Sequence, residues 1–407
     1  NYFIEGSGNL LLQEQIDEIK YSINNQNKFL HFKTNIKLNQ NQFFIDFLNY
    51  KKDKNSTTTL KTEIIIDYDK EINLKNIEIR ENKNLIIFEE ILLDKDFKIK
   101  KIDDINLDYV DADDKINEIK LSRDKNLYNI IGTTFNADNL VSKIIASEDS
   151  ERNLFKNNFD LNLKIDQVYF DKKNSLKELN GSLSMVDNQI NNADINSFFL
   201  NDKKFIFSIK SKNDEKVTTL FSENAEPLVK RYEFIKGFQD GTLDFYSKKI
   251  DNSSISRLNI FNFKLQELPA LTKLLTLASL QGIADILTGE GIRFNELEMN
   301  FTSDGNTMTI NELYAIGPAI SILMDGYIEK DKLVSLRGTL VPATTLNKTI
   351  GSIPILGKIL VGSKVGEGVF GVSFKIKGHP DNLETKVNPI KTLTPRFITR
   401  TLEKIKN

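Results

Sequence analysis

Residues 159–166 read FDLNLKID, in which apolar and polar side chains alternate without interruption. Successive side chains of a β-strand point to opposite faces of a sheet, so this alternation predicts a strand with one apolar and one polar face. The apolar positions, which share one face, are Phe159, Leu161, Leu163 and Ile165. Such a strand is typical of an antiparallel sheet that covers apolar material with one face and meets water with the other.

The same period of two recurs along the chain, in residues 205–209, 320–328, 334–340 and 370–376. The sequence SDGN at 303–306 separates two further alternating stretches and favours a tight hairpin turn. Further apolar positions of this kind are Phe205, Phe207, Ile209, Ile320, Ile322, Met324, Phe370, Val372, Phe374 and Ile376. We therefore predict a mainly β protein. Its long, curled antiparallel sheet would form a trough or open barrel with an apolar groove, accompanied by a few short helices.

The largest predicted helix spans residues 268–287, LPALTKLLTLASLQGIADIL, with Pro269 in its first turn and Gly289 beyond its end. This segment is apolar nearly all round, which exceeds the single stripe that a surface helix needs. Two interpretations stay open: the helix packs into the apolar face of a sheet, or it touches lipid. Lys273 and Asp285 argue against a membrane span, because each charge would cost about 2.5–3.5 kcal/mol at the bilayer centre.

The composition of the chain changes near residues 222–240. All 8 Pro lie at or after Pro227, and most Gly lie at or after Gly237. We therefore predict a strand-rich, groove-forming segment at 1–221 and a second region at 222–407.

The residue inventory disfavours several classes of function. The chain has no Cys, which excludes disulfides and Cys-ligated metals, and only His31 and His379 are available for a triad or a metal site. We interpret the first as a cross-strand residue and the second as part of a tight turn. With 55 basic and 57 acidic residues the formal charge is −2, which argues against nucleic acid as a partner. The prediction is a protein that is not an enzyme and needs no metal or cofactor; an envelope hydrolase is the least favoured class.

Adjacent carboxylates are numerous, for example Glu89 with Glu90 and Asp103 with Asp104. A glycosidase needs two carboxyl groups that converge across a cleft, whereas neighbours on a strand point to opposite faces. Residues 111–114 lack the glycine and glutamate of a calcium loop. We interpret all of these groups as solvated charge.

Four stretches carry a family resemblance: residues 268–305, 310–328, 336–360 and 366–397. Their order and content resemble the C-terminal region of the AsmA-like family, most closely its long YhdP-type branch. The resemblance covers roughly residues 222–407, and residues 1–130 match such proteins only in being strand-rich.

The resemblance implies a bacterial bridge-like lipid-transfer protein related in architecture to TamB. Such proteins are anchored in the inner membrane by an N-terminal helix, which this sequence lacks, and cross the periplasm as a long β-sheet with an apolar groove. Phospholipid, the membrane surface and possible envelope proteins are the implied partners. The alternative is a non-catalytic envelope scaffold or assembly factor that binds a protein partner.

Two groups of candidate residues follow. The fourteen apolar positions of the alternating strands given above are expected to line the groove. The apolar segments at 268–287 and 350–361, together with a basic C-terminal end, are expected to close the groove near a membrane, where each basic residue would contribute about 1 kcal/mol. The residues of this second group are Leu271, Leu274, Leu275, Leu280, Ile283, Ile355, Leu356, Arg396, Arg400 and Lys404.

Overall fold

The computed structural model describes residues 1–12, 15–53, 55–146, 157–187, 189–231, 237–266, 269–277, 280–342 and 371–390. The chain divides into two compact units, Asn1–Lys210 and Ser211–Asn407, so the division lies before the boundary predicted after residue 221. Both units are built mainly from antiparallel strands, with a few short helices. The predicted mainly β fold is confirmed.

The first unit contains most of the shorter strands. They are β1 (Tyr2–Leu12), β2 (Gln15–Gln26), β3 (Phe29–Leu38), β4 (Phe44–Ile45), β5 (Tyr50–Lys51), β6 (Thr58–Asp67), β7 (Glu71–Glu81), β8 (Asn84–Asp94), β9 (Ile99–Ile102), β10 (Ile105–Val110), β11 (Ile116–Asp124), β12 (Leu127–Asn136), β13 (Phe159–Tyr169), β14 (Ser175–Val186), β15 (Gln189–Phe199) and β16 (Lys204–Lys212). A 3-10 turn (Asp46–Leu48) and helix α1 (Asp138–Ala146) complete it. Within the described residues β1 pairs with β2 alone, so this sheet is not closed.

One pairing in the first unit differs from the antiparallel prediction. Strands β12 and β13 run parallel, with Ile130 beside Leu163. A parallel pair needs a crossover connection rather than a hairpin, and α1 lies in the connection between the two strands. Alternation of side chains is the same in both kinds of pair, which is why the sequence did not distinguish them.

The second unit is an antiparallel meander in which each strand pairs with the next. Its strands are β17 (Glu215–Ser222), β18 (Phe238–Ile250), β19 (Ser253–Leu265), β20 (Ile292–Ser303), β21 (Thr307–Ile316), β22 (Ile320–Glu329), β23 (Leu333–Pro342), β24 (Gly371–His379) and β25 (Asn382–Ile390). Its helices are α2 (Glu226–Arg231), α3 (Pro269–Leu277) and α4 (Gln281–Thr288). In the described part of the chain β25 pairs only with β24, so the pairing does not close at this strand either.

The predicted hairpin at 303–306 is confirmed between β20 and β21. The backbone N–H of Thr307 donates to the Asp304 carboxylate at 2.8 Å. Gly305 has a φ of +92°, a conformation that glycine adopts without steric cost.

The single helix predicted over 268–287 is wrong, because the structure has two helices, α3 and α4. The chain turns at Leu280, whose φ and ψ are −104° and 45°, and whose N–H donates to the carbonyl of Leu275 at 2.8 Å. Leu274 of α3 and Leu287 of α4 are both buried in the same core. A straight helix buries one stripe, whereas the break lets a segment that is apolar all round turn two apolar sides inward.

Candidate functional site

A row of directly paired residues crosses nine strands of the first unit, from β7 to β16. Residues opposite one another on neighbouring strands lie on the same face of a sheet. In order, the members of this first row are Ile77, Phe88, Ile105, Leu121, Ile130, Leu163, Gly181, Ile195 and Phe207. Eight members have apolar side chains and one is glycine, so a continuous apolar strip runs across the strands.

The first row stays partly accessible to solvent. Phe88 is buried, and the other members are all half-buried. The row beside it is covered instead: Ile86, Leu107 and Ile165 are buried in one cluster with Leu48 and Tyr50. The apolar face is therefore covered by other parts of the chain at the row of Ile86, Leu107 and Ile165. At the first row it is accessible to solvent.

The structure places all seven groove candidates of the first unit on this face. Leu163 and Phe207 belong to the first row, and Ile165 lies in the covered row. Leu161 and Ile209 lie in the next row out, where Leu183 and Ala193 are paired between them.

Aromatic contacts hold the remaining two candidates. The ring of Phe159 meets Tyr128 edge to face, with centroids 5.4 Å apart. Phe205 packs in the same way against Phe199, at 6.2 Å.

A second row crosses the nine strands of the second unit, β17 to β25. Its members, again directly paired, are Leu220, Phe245, Leu258, Met299, Leu313, Met324, Gly338, Phe374 and Val387. Met299 and Phe374 are buried and the others are half-buried. This second row therefore repeats the half-accessible apolar strip of the first unit.

The remaining candidates of the second unit lie on the same face. Ile320 is buried in the core of the face, while Ile322 and Ile376 pack against that core. Val372 is buried and shares its face of β24 with Phe374. Phe370 lies outside the described residues.

Helices α3 and α4 cover one end of this face. Leu271, Leu274 and Leu275 are buried in the core, and Leu280 and Ile283 pack against it. The five candidates of the helical segment therefore point to the sheet. The predicted closure residues Ile355, Leu356, Arg396, Arg400 and Lys404 lie outside the described residues.

The apolar side chains that the helices present to solvent are different ones. Leu277 is 50% exposed and Ile286 is 48% exposed. The sequence analysis did not separate the exposed from the buried side chains of these helices. A segment that is apolar all round does not indicate which side faces the core.

Charged groups gather beside the first row, around a cavity of about 190 Å³ that Tyr128 and Phe159 line. Asp103 accepts from Lys101 at 2.7 Å and from Arg123 at 2.6 Å, and Lys101 also pairs with Glu90. The interpretation of Glu90 and Asp103 as solvated charge is wrong, because both side chains are partly buried and paired. Asp111, which is buried and accepts from Asn136 at 2.6 Å, is a further correction.

The Glu90 carboxylate has a strongly altered pKa. Burial acts to raise its pKa, but hydrogen bonds from Lys101 and from Asn73, the latter at 2.6 Å, outweigh burial and lower the pKa to about 2. The folded-state pKa therefore lies below that of the unfolded chain, about 4.5. The ionised carboxylate stabilises the fold above pH 4.5, and this contribution is lost as the pH falls towards 2.

The Glu90→Gln variant should consequently show a weaker acid dependence than the natural protein. We expect the urea midpoint of unfolding of the natural chain, followed by circular dichroism, to fall between pH 4.5 and 2.5. The fall should be visibly smaller in Glu90→Gln. Glu89→Gln is the matched control, since Glu89 is its exposed neighbour and should leave the acid dependence unchanged. Equal slopes for all three proteins would contradict this assignment.

The two histidines have structural surroundings. His31 lies on β3 between Asn24 and Ile65 of the flanking strands, which confirms its cross-strand position. Its Nε2 is hydrogen-bonded to the Glu63 carboxylate. His379 ends β24 at a turn, with Nε2 3.2 Å from the carbonyl of Asp331. In the described ranges no three His, Asp or Glu side chains gather as a metal site would require. No described helix combines the length and the apolar character that crossing a bilayer requires.

Comparison with known proteins found no matching family model, no similar curated protein and no similar solved structure. The resemblance to the AsmA-like family therefore rests on the four sequence stretches whose residue ranges are given above, and it remains a prediction.

Proposed function

We propose that this chain is part of a lipid-transfer conduit that shields phospholipid acyl chains in an apolar groove between the bacterial inner and outer membranes. The observation that carries the proposal is the pair of half-accessible apolar rows, each of which crosses nine strands. Burial of one methylene group contributes about 0.8 kcal/mol, so acyl chains would bind such a strip without specific polar contacts. Because successive positions are alike, a bound chain could slide along the row.

The length of the rows favours a lipid over a small compact ligand. Neighbouring strands lie about 4.8 Å apart, so nine strands span about 38 Å along each row. The hydrocarbon core of a bilayer is about 30 Å thick and holds two layers of acyl chains, so one chain needs about 15 Å. Each row is therefore longer than one acyl chain, as a track would be.

A non-catalytic scaffold that binds a protein partner is the second candidate, and strand β1 favours it. Phe3 and Leu11 of β1 are exposed, and the strand is paired on one side only in the described part of the chain. An exposed apolar edge strand is a template for pairing with another polypeptide strand.

Photo-crosslinking distinguishes these functions. A benzophenone amino acid at position 163, in the first row, should give phospholipid adducts in purified protein. The same probe at Lys164, whose side chain is exposed on the opposite face, should give none. Mass spectrometry of the extracted adducts identifies the lipid. Protein that purifies free of lipid but holds a polypeptide at β1 would overturn the conduit and favour the scaffold.

A further inference from the structure

Two lysines lie directly opposite one another on the apolar face of the second unit. Lys216 of β17 is paired with Lys249 of β18. Side chains two positions apart on a strand share a face, so Lys216 lies on the face of Leu220, and Lys249 on the face of Phe245. Leu220 and Phe245 begin the second row. The lysine pair therefore lies on the same face as the second row, near the ends of the two strands.

Hydroxyl groups separate the lysines from the second row. Thr218 and Ser247 form the pair of residues between them, and Ser256 of β19 is paired with Ser247. The Ser256 hydroxyl donates to the Ser247 hydroxyl at 2.8 Å. Along this face the strands thus present an apolar row, then hydroxyls, then two ammonium groups. At 3.3–3.4 Å per residue, the four residue steps from Leu220 to Lys216 span about 13 Å.

No carboxylate among the described residues compensates the charge of the lysine pair. Neither lysine has a carboxylate within 4.0 Å in the part of the chain that the structure describes. Lys248, which points to the opposite face of β18, is by contrast paired with Glu215 at 2.8 Å. Like charges directly opposite one another destabilise a pair of strands, so this arrangement requires a reason.

The surroundings of Lys216 make its positive charge still less favourable. Its side chain is half-buried. Burial, and after it the positive charge of Lys249, lowers the pKa of the Lys216 ammonium. A bound anion would neutralise the repulsion and offset the loss of hydration.

We propose that Lys216 and Lys249 bind the phosphate of an anionic membrane lipid whose acyl chains lie on the second row. The three layers match the order of groups in a glycerophospholipid, with acyl chains first, then glycerol esters, which can accept hydrogen bonds from hydroxyls, and then the phosphate. This inference rests on the proposed function and adds to it a selectivity for anionic head groups. It commits to a lipid phosphate, and free phosphate is an outcome of the test.

The experiment loads the full chain from vesicles that hold equal amounts of phosphatidylglycerol and of diacylglycerol with the same acyl chains. Native mass spectrometry then gives the ratio of the two bound lipids. The natural chain should prefer phosphatidylglycerol. The Lys216→Gln/Lys249→Gln double variant should lose about tenfold of that preference while it still binds diacylglycerol, since the second row is intact.

Two controls keep the result specific. Lys248→Gln removes a neighbouring charge from the opposite face and should keep the preference. Lys216→Arg/Lys249→Arg retains both charges and should also keep it, which separates the loss of charge from a change in folding.

The possible failures are distinguishable. An unchanged preference in the Gln double variant would overturn the head-group site and leave the conduit intact. If the natural chain loads neither lipid, the proposed function fails and the head-group site with it. Millimolar inorganic phosphate that binds to the natural chain equally well without lipid, and that the Gln variant no longer binds, would show a site for free phosphate and overturn the lipid assignment.

Discussion

Replacing Phe263 with alanine is expected to lower the free energy of unfolding of the second unit by about 3–5 kcal/mol. Phe263 is the middle ring of three stacked rings, with centroids 5.2 Å from Phe238 and 5.3 Å from Phe294. All three side chains are buried in one core that also contains side chains of α3 and α4. Truncation would remove both stacking contacts and leave a cavity that neither strand partner can fill without moving.

Hydrogen exchange read by mass spectrometry is the suitable measurement, because the chain has two units and its unfolding need not be two-state. Protection should fall in β18 to β20 and remain in the first unit. Ile255→Ala is the matched control on the same strand. Ile255 is 65% exposed, so its truncation should change stability by less than about 0.5 kcal/mol. Similar effects of the two substitutions would contradict the assignment of Phe263 to the core.

Phe263 also illustrates where sequence reasoning stops. Strict alternation would place Phe261 and Phe263 on one face of β19, and Ile260 on the other. In the structure Asn262 has a φ of +53°, and Ile260 and Phe263 are both buried in the same core. One residue in the left-handed conformation reverses which face the following side chains occupy. An asparagine within an alternating pattern is not enough to predict this conformation.

Uninterrupted alternation, by contrast, predicts the face correctly. Residues 159–166 form a regular strand whose apolar side chains are buried or half-buried and whose polar side chains are exposed. The members of the first row on β7 to β12 were nevertheless missed. Which residues face one another across strands depends on the turns and bulges between the strands. The alternation within a single strand does not determine this register. The lysine pair at Lys216 and Lys249 was missed for the same reason.

The break at Leu280 has a different origin. Helical periodicity continues through residues 268–287, no proline stands near Leu280, and Gly282 follows two residues later within α4. The break is favoured by packing, because Leu274 and Leu287 are buried in the same core and a straight helix would present only one stripe to it. A single segment carries no information about the surface on which it packs.

The Leu163→Asp variant is expected to reduce phospholipid binding by the first unit about a hundredfold. Leu163 lies in the middle of the first row, with Ile130 on one side and Gly181 on the other. Gly181 contributes no side chain, so Leu163 is the apolar group that an acyl chain would meet there. A carboxylate among acyl chains costs about 2.5–3.5 kcal/mol, which corresponds to the stated loss of affinity.

The matched control for this prediction is Asn162→Asp, which adds the same charge one position away on the exposed face. Lipid bound per protein, measured by extraction and mass spectrometry, should fall in Leu163→Asp and stay at the natural level in Asn162→Asp. Leu163→Ala removes the apolar side chain without a charge and should give an intermediate loss, provided that circular dichroism shows all three variants folded. If the folded Leu163→Asp protein keeps its lipid, acyl chains do not lie on the first row. The accessible apolar strip would then have to be explained by a polypeptide that covers it.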